Sequence, residues 1–376
     1  MKRFSEHSLC PGSQCRNRPS VRTLTLSDEW KSTVARVRPT LLDVALLAGV
    51  SVGTVSNVLT KSRYARPEAV HRVEAAVAEL GYRPNRVAQA LINGQTRTIG
   101  MILPNLVSPY HVDLLHAVEE VLSDAGYAVL FGNSQNDPIK EERCIDALRD
   151  RLVDGLVTAI ATDTGADKLR ALSEEVPIVM INRLVPGWDG DTVTSDTDTG
   201  MELAVGHLVD LGHSRIALVN GDPRIQTARV RRCAFEAAMQ RRGLKACSIT
   251  EDRFSVESGR AQTESILRSA NPPTAICAGN DVIALGVLEA IRNAGLRVPD
   301  DLSVVGYNDV GYTRYTSPSL TTIHVPTRAM GFEAARLILG RLERPEGPAR
   351  HIVMPTTLVV RQSTTVPRSG GLPLLG

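Results

Sequence analysis

Between positions 51 and 57 the chain reads Ser-Val-Gly-Thr-Val-Ser-Asn. Ser51, Val52, Gly53, Thr54, Ser56 and Asn57 are small or carry one compact polar group each. At helical spacing they fall on the first two turns of one short helix. These hydroxyls and the lone carboxamide stand without the adjacent base that an activated nucleophile needs. They suit hydrogen bonding to base edges in a DNA groove, where an Asn amide pairs with adenine N6 and N7. Catalytic patterns are missing from the rest of the chain. There is no Gly-x-Ser-x-Gly elbow, no phosphate loop and no His/Cys cluster at metal-ligand spacing. His111, His207, His213 and His324 stand in separate segments without supporting motifs. The expectation is therefore a protein that is not an enzyme and uses no cofactor or metal.

The elements around this stretch read as a DNA-binding unit. Thr40-Leu-Leu-Asp43 is a capping-box-like start with Asp in place of the usual Glu. The helix it opens runs to Ala48, with Val44, Ala45 and Ala48 as its apolar face. Gly49 permits a turn, Val50 plugs it, and Ser51 caps a second helix over 52–59, with Val55, Val58 and Leu59 inward. Two short helices joined by a tight Gly turn form a helix-turn-helix, whose second helix meets bases with its N-terminal residues. A third helix starts at Pro67, buries Val70, Val73, Ala76, Val77 and Leu80, and ends at Gly81. Lys61, Arg63, Arg66, Arg72 and Arg86 make the surroundings basic. Asn85 can cap a helix over 86–92, closed by Gly94. Two turns are too short to be stable alone in water, so this helix needs DNA, a twin, or both.

From Thr98 onward short apolar strands alternate with amphipathic helices. Strands are expected at 99–103, 128–132, 155–159, 178–181, 216–219, 275–278 and 303–306. Helices are expected at 113–125, 141–151, 200–211, 232–242 and 281–294. This alternation implies parallel sheets covered by helices, and the number of units implies two similar lobes. Ligand belongs at the C-terminal ends of such strands, in the cleft between lobes. The polar residues placed there are those of 104–111, Asn182 and Arg183, 221–227, 279–281, and Asn308 with Asp309. Asp281 fits two roles, a helix cap or a ligand contact.

Composition bounds the class. The 376 residues are 43% hydrophobic and 22% charged with a net charge of +2, which suits two or three soluble domains. No run approaches the ~20 apolar residues of a membrane span, and the basic N-terminus lacks the apolar core of a secretory signal. The six cysteines are scattered, Cys10 and Cys15 lack a second metal-binding pair, and the other four read as small core residues. A reducing cytoplasm fits. The division expected is a disordered basic tail over 1–38, a helix-turn-helix domain over 39–84, a hinge helix and linker over 85–97, a two-lobed effector-binding and dimerisation domain over 98–365, and a flexible tail over 366–376. A periplasmic solute-binding protein would share the lobes, but with a signal peptide and without the helix-turn-helix.

Three stretches carry a family resemblance: TLLDVALLAGVSVGTVSNVL over 40–59, ELGYRPN over 79–85, and AQAL over 88–91. They resemble the LacI/GalR family of repressors, and the likeness runs over roughly 39–365. The resemblance implies an all-α helix-turn-helix domain joined to an α/β periplasmic-binding-protein-like domain of two lobes. It implies a homodimer or tetramer on palindromic double-stranded operator DNA, with a small-molecule effector; an aromatic ring with neutral and charged hydrogen-bonders at the cleft suits a sugar or related metabolite first, with a nucleobase left open. Thr40, Tyr82, Asn85, Arg86 and Ala88 join the DNA-contact candidates, and Leu91 becomes the minor-groove wedge. Tyr110, His111, Asn182, Arg231, Phe254, Asn280, Asp281 and Asn308 fall on effector-pocket positions. Asn57 stands where the family often has Arg, Gly53 where longer side chains are usual, and Asn308 where Asp is frequent. No leucine heptad is evident over 363–376, which favours a dimer over a tetramer.

Overall fold

The computed structural model describes residues 39–60, 65–83, 94–159 and 166–368. The expected basic tail, Lys61, Arg63, and the hinge residues Asn85, Arg86, Ala88 and Leu91 lie outside the described residues. The chain divides into two compact units, 1–85 and 86–376.

The first unit holds α1 (Leu41–Ala48), α2 (Val52–Thr60) and α3 (Pro67–Leu80). Val44, Ala45, Ala48, Val55, Val73 and Ala76 form its core. These side chains are mostly small, so three short helices can pack closely.

The second unit consists of two six-stranded sheets. The first lobe contains β1 (Thr98–Leu103), α4 (Pro109–Asp124), β2 (Ala128–Asn133), α5 (Pro138–Asp150), β3 (Gly155–Thr158), α6 (Ala166–Ser173), β4 (Ile178–Ile181) and β5 (Asp191–Ser195). The second contains α7 (Thr197–Asp210), β6 (Ile216–Asn220), α8 (Gln226–Arg241), β7 (Ser248–Glu251), α9 (Val256–Leu267), β8 (Ala275–Ala278), α10 (Asp281–Asn293), β9 (Ser303–Asn308) and β10 (Thr321–His324). The chain then returns to the first lobe as α11 (Thr327–Glu343) and β11 (His351–Met354), and ends in the second as β12 (Thr357–Val359). Strand order is β11-β5-β4-β3-β1-β2 in one sheet and β12-β10-β9-β8-β6-β7 in the other. All pairings are parallel except β10 with β12. Central strands such as β3, β4 and β8 are buried along their whole length, as parallel strands covered on both faces must be.

The chain passes between lobes after β5, after β10 and after β11. The passages after β5 and after β11 are tied to each other. Asp196 N donates to Met354 O at 2.8 Å and Thr356 Oγ1 donates to Asp196 O at 3.0 Å. The returning helix α11 is fastened by Arg341, which forms two hydrogen bonds of 2.6 and 2.9 Å with the buried Asp191 at the start of β5. Asp191 also accepts from Arg350 N at 2.8 Å. These donors hold its carboxyl below the usual range against the opposing effect of burial.

Three expectations need correction. The expected tail is anchored at its start, because Arg368 donates to Asp301 at 2.5 Å. Of the four cysteines read as core residues, Cys277 is buried, Cys144 and Cys247 are half-buried, and Cys233 is exposed. The strands β5, β7, β10, β11 and β12 and the helices α6, α9 and α11 were not expected from the sequence. β7, β11 and β12 are sheet edges. Edge strands such as Ser-Ile-Thr-Glu need no apolar run.

The Asp191–Arg341 pair yields a prediction. Asp191→Ala strands a mostly buried guanidinium, and should lower unfolding free energy by about 2–3 kcal/mol in urea titrations. A loss within error would show that α11 is held by its apolar face alone.

Candidate DNA-reading surface and ligand cavity

In the first unit the local chemistry sets the helix ends. Thr40 N donates to Asp43 Oδ2 at 2.7 Å and Asp43 N donates to Thr40 Oγ1 at 3.3 Å, a reciprocal capping box with Asp as acid. Gly49 ends α1 at φ +63°, a conformation that disfavours any Cβ. The bend between α1 and α2 is 104°, within the helix-turn-helix range. Ser51 Oγ accepts from Thr54 N at 3.1 Å and so opens α2. Ser51, Val52 and Gly53 are exposed at this helix start, while Thr54, Ser56 and Asn57 are half-buried. Val55 turns inward and carries the helix into the core. Arg66, Arg72 and Arg83 are exposed on the same unit. Tyr82 is placed differently from the DNA-contact expectation. Its residue is 8% exposed and its ring belongs to the core of the unit.

In the second unit the strand ends of both lobes surround a cavity of about 720 Å³. Tyr110, His111, Asn182, Arg231, Phe254, Asn280 and Asn308 all line it. Asp281 does not. Its carboxylate accepts from Thr322 Oγ1 at 2.7 Å and Val310 N at 3.0 Å beneath the cavity, and burial pushes its pKa up to about 7. The cap of α10 is Asn280, whose Oδ1 accepts from Ile283 N at 2.9 Å. Asn182 and Asn308 have φ of +65° and +117°. Asn is among the few non-glycine residues found in left-handed backbone, and such conformations gather at ligand sites. Phe254 reaches the cavity because Gly221 makes way: a Cβ there would meet the ring at 2.2 Å.

Arg231 is 6% exposed. Its Nη1 donates to Gly279 O at 2.8 Å and its Nη2 to Asn308 Oδ1 at 3.3 Å, while the guanidinium lies over the Tyr307 ring, 4.3 Å from the centroid. Arg183, 3% exposed, donates to Asn136 Oδ1 at 2.9 Å. Burial, and then the charge of Arg231, bring its pKa down to about 10. His111 is 6% exposed and meets Tyr110 edge to face at 5.3 Å. Burial first, then Arg183 and Arg231, drive its pKa down to about 3, so the ring is neutral at physiological pH.

Arg183, which the strand-end rule places at the cleft beside Asn182, also lines the cavity. Asn133, Gln135 and Ser255 were missed. Asn133 and Gln135 end and follow β2, so the same strand-end rule reaches them. Ser255 follows β7, a strand too polar to be recognised. Among the described residues no group of three or more His, Cys, Asp or Glu could hold a metal ion. No single helix among them is long and apolar enough to cross a membrane.

A capped helix-turn-helix attached to a two-lobed α/β unit defines a DNA-binding regulator of transcription. Residues 40–85 match the bacterial regulatory proteins of the lacI family, and 205–364 match the periplasmic binding protein-like domain. The chain belongs to the lacI family of bacterial regulatory proteins. The HTH-type transcriptional repressor PurR of Histophilus somni is 36% identical over 327 residues, 86% of this chain and 98% of that protein. The HTH-type transcriptional regulator DegA of Bacillus subtilis is 35% identical, over 88% of this chain and 99% of that protein. The lac repressor dimer bound to operator and the anti-inducer ONPF superposes with a TM-score of 0.80 and 31% identity, over 87% of this chain and 99% of that one.

The buried imidazole gives a pH prediction. Unfolded His111 takes up a proton near its ordinary 6.5, whereas the folded ring resists to about 3. Its contribution is present above 6.5 and is lost as pH falls toward 3. Relative to His111→Asn, the wild type should lose up to about 1.4 kcal/mol of stability per pH unit in that window. Parallel acid profiles for the two proteins would show that His111 is protonated in the fold.

Proposed function

We propose that this regulator is a cytoplasmic homodimeric repressor that reads a palindromic operator through α2 and changes its operator affinity when a small metabolite enters the interlobe cavity. The observation that carries this reading is the pairing, in one chain, of a capped helix start, exposed at Ser51, Val52 and Gly53, with a polar cavity built from the strand ends of two lobes. The lac repressor comparison supports it, since that dimer holds operator DNA and a small ligand together. The lobes share three chain passages, so a ligand that touches both can bias their arrangement. Arg66, Arg72 and Arg83 supply sequence-independent attraction to phosphate, while Ser51, Gly53, Thr54, Ser56 and Asn57 supply base readout. Tyr110, His111, Asn182, Arg231, Phe254, Asn280 and Asn308 contact the effector, and Asp281 supports the floor of the cavity.

Selection from a random duplex pool tests the DNA reading. Two inverted half-sites should be enriched, and recovery without any sequence preference would overturn the operator assignment. Asn57→Ala should relax preference at one symmetric pair of positions, by about 1–3 kcal/mol. Uniform weakening at every sequence would make Asn57 a backbone contact.

A further inference from the structure

We propose that the ligand is an anion: a hydroxylated metabolite whose carboxylate or phosphate sits between Arg183 of the first lobe and Arg231 of the second. This rests on the effector-cavity reading above and specifies the chemistry of its ligand.

Both guanidiniums line the cavity and both are more than nine-tenths buried. Among the described residues neither has a carboxylate within ion-pair distance. Their hydrogen bonds go to neutral oxygens, of Asn136 for Arg183 and of Gly279 and Asn308 for Arg231. The Nε donor of each lacks a partner among the described residues, as does Ser108 Oγ, a third buried polar group on the cavity wall. The single acid in the lining, Glu257, is exposed. Two further carboxyls act on the arginines from below, Glu141 on Arg183 and Asp281 on Arg231. Asp281 already has Thr322 and Val310 as hydrogen-bond donors, and burial raises its pKa. Neutral His111 adds no charge of its own.

Buried cations with no carboxylate in ion-pair contact are costly, and removing water from them makes a matching anion bind strongly. An oxyanion supplies what the site lacks, since guanidinium forks fit carboxylate and phosphate geometry. Neutral Asn105, Asn133, Gln135, Asn182 and Asn280 remain for hydroxyls, with the Phe254 ring as an apolar face. The two arginines belong to different lobes and repel each other. The anion is therefore also the group that lets the lobes approach.

The test uses the full chain, with apparent stability and calorimetric titration read at matched ionic strength. The probes are D-gluconate for carboxylate, D-glucose 6-phosphate and inorganic phosphate for phosphate, and D-glucitol as the neutral counterpart. At least one anionic probe should raise the melting temperature where D-glucitol does not, and the preferred one identifies carboxylate or phosphate. Arg183→Met should weaken that probe about tenfold or more. It should also raise the melting temperature of the ligand-free protein, because an uncompensated buried charge is gone. Arg183→Lys should restore part of the binding. The wild-type comparison of anionic with neutral probes needs no variant and stands if a variant does not fold. D-Glucitol binding as well as the anions, or Arg183→Met titrating like wild type, overturns the anionic assignment and leaves an effector cavity for neutral ligands. No response to any probe, inorganic phosphate included, overturns the anionic assignment alone, since the effector-cavity reading is tested by the coupling of cavity ligands to operator affinity.

Discussion

The second unit is organised around a guanidinium held out of water without a carboxylate. Arg231 rests on the Tyr307 ring, donates to a strand-end carbonyl and to Asn308, and is almost wholly buried. These partners come from two adjacent C-terminal strand ends: Gly279 follows β8, and Tyr307 and Asn308 close β9. The left-handed backbone of Asn308 goes with this arrangement, since its side-chain oxygen accepts from the arginine. Burying a charge in this way does not stabilise a fold. It prepares a site for something that brings the missing charge or the missing acceptors.

The connections explain how such a site can act at a distance. Each lobe is completed by chain from the other side, through α11 and β11 in the first and β12 in the second. The Asp191–Arg341 pair fixes the returning helix to the first sheet, while hydrogen bonds among Asp196, Met354 and Thr356 lace two passages together. Three chain passages, two of them laced together, leave room for a limited reorientation of the two sheets. A ligand with partners in both lobes then selects among those orientations, by as much as its differential affinity for them.

Much of this was legible in the sequence. The capping box at Thr40, the Gly49 turn and the Ser51 cap follow from residue type alone, because helix termini demand particular side chains. The buried central strands announced themselves as apolar runs, and their C-terminal ends led to Asn182, Arg231's neighbourhood and Asn308. The edge strands β7, β11 and β12 did not, since half-solvated strands such as Thr-Leu-Val and Ser-Ile-Thr-Glu carry no distinctive period. Asp281 illustrates a different limit. Adjacent residues at a helix start divide the work of capping and support, and only the coordinates show that Asn280 caps while Asp281 turns to Thr322. Tyr82 shows a similar limit: a motif residue beside a DNA-reading helix can also be part of what packs that helix.

The central claim is that the cavity and the DNA-reading helix share one free energy. It is tested most directly by reciprocity in the full chain. Operator affinity is measured with and without a saturating cavity ligand, and ligand affinity with and without saturating operator. Thermodynamic coupling requires the two ratios to be equal and different from one. A ligand that binds the cavity tightly while leaving operator affinity unchanged would contradict it.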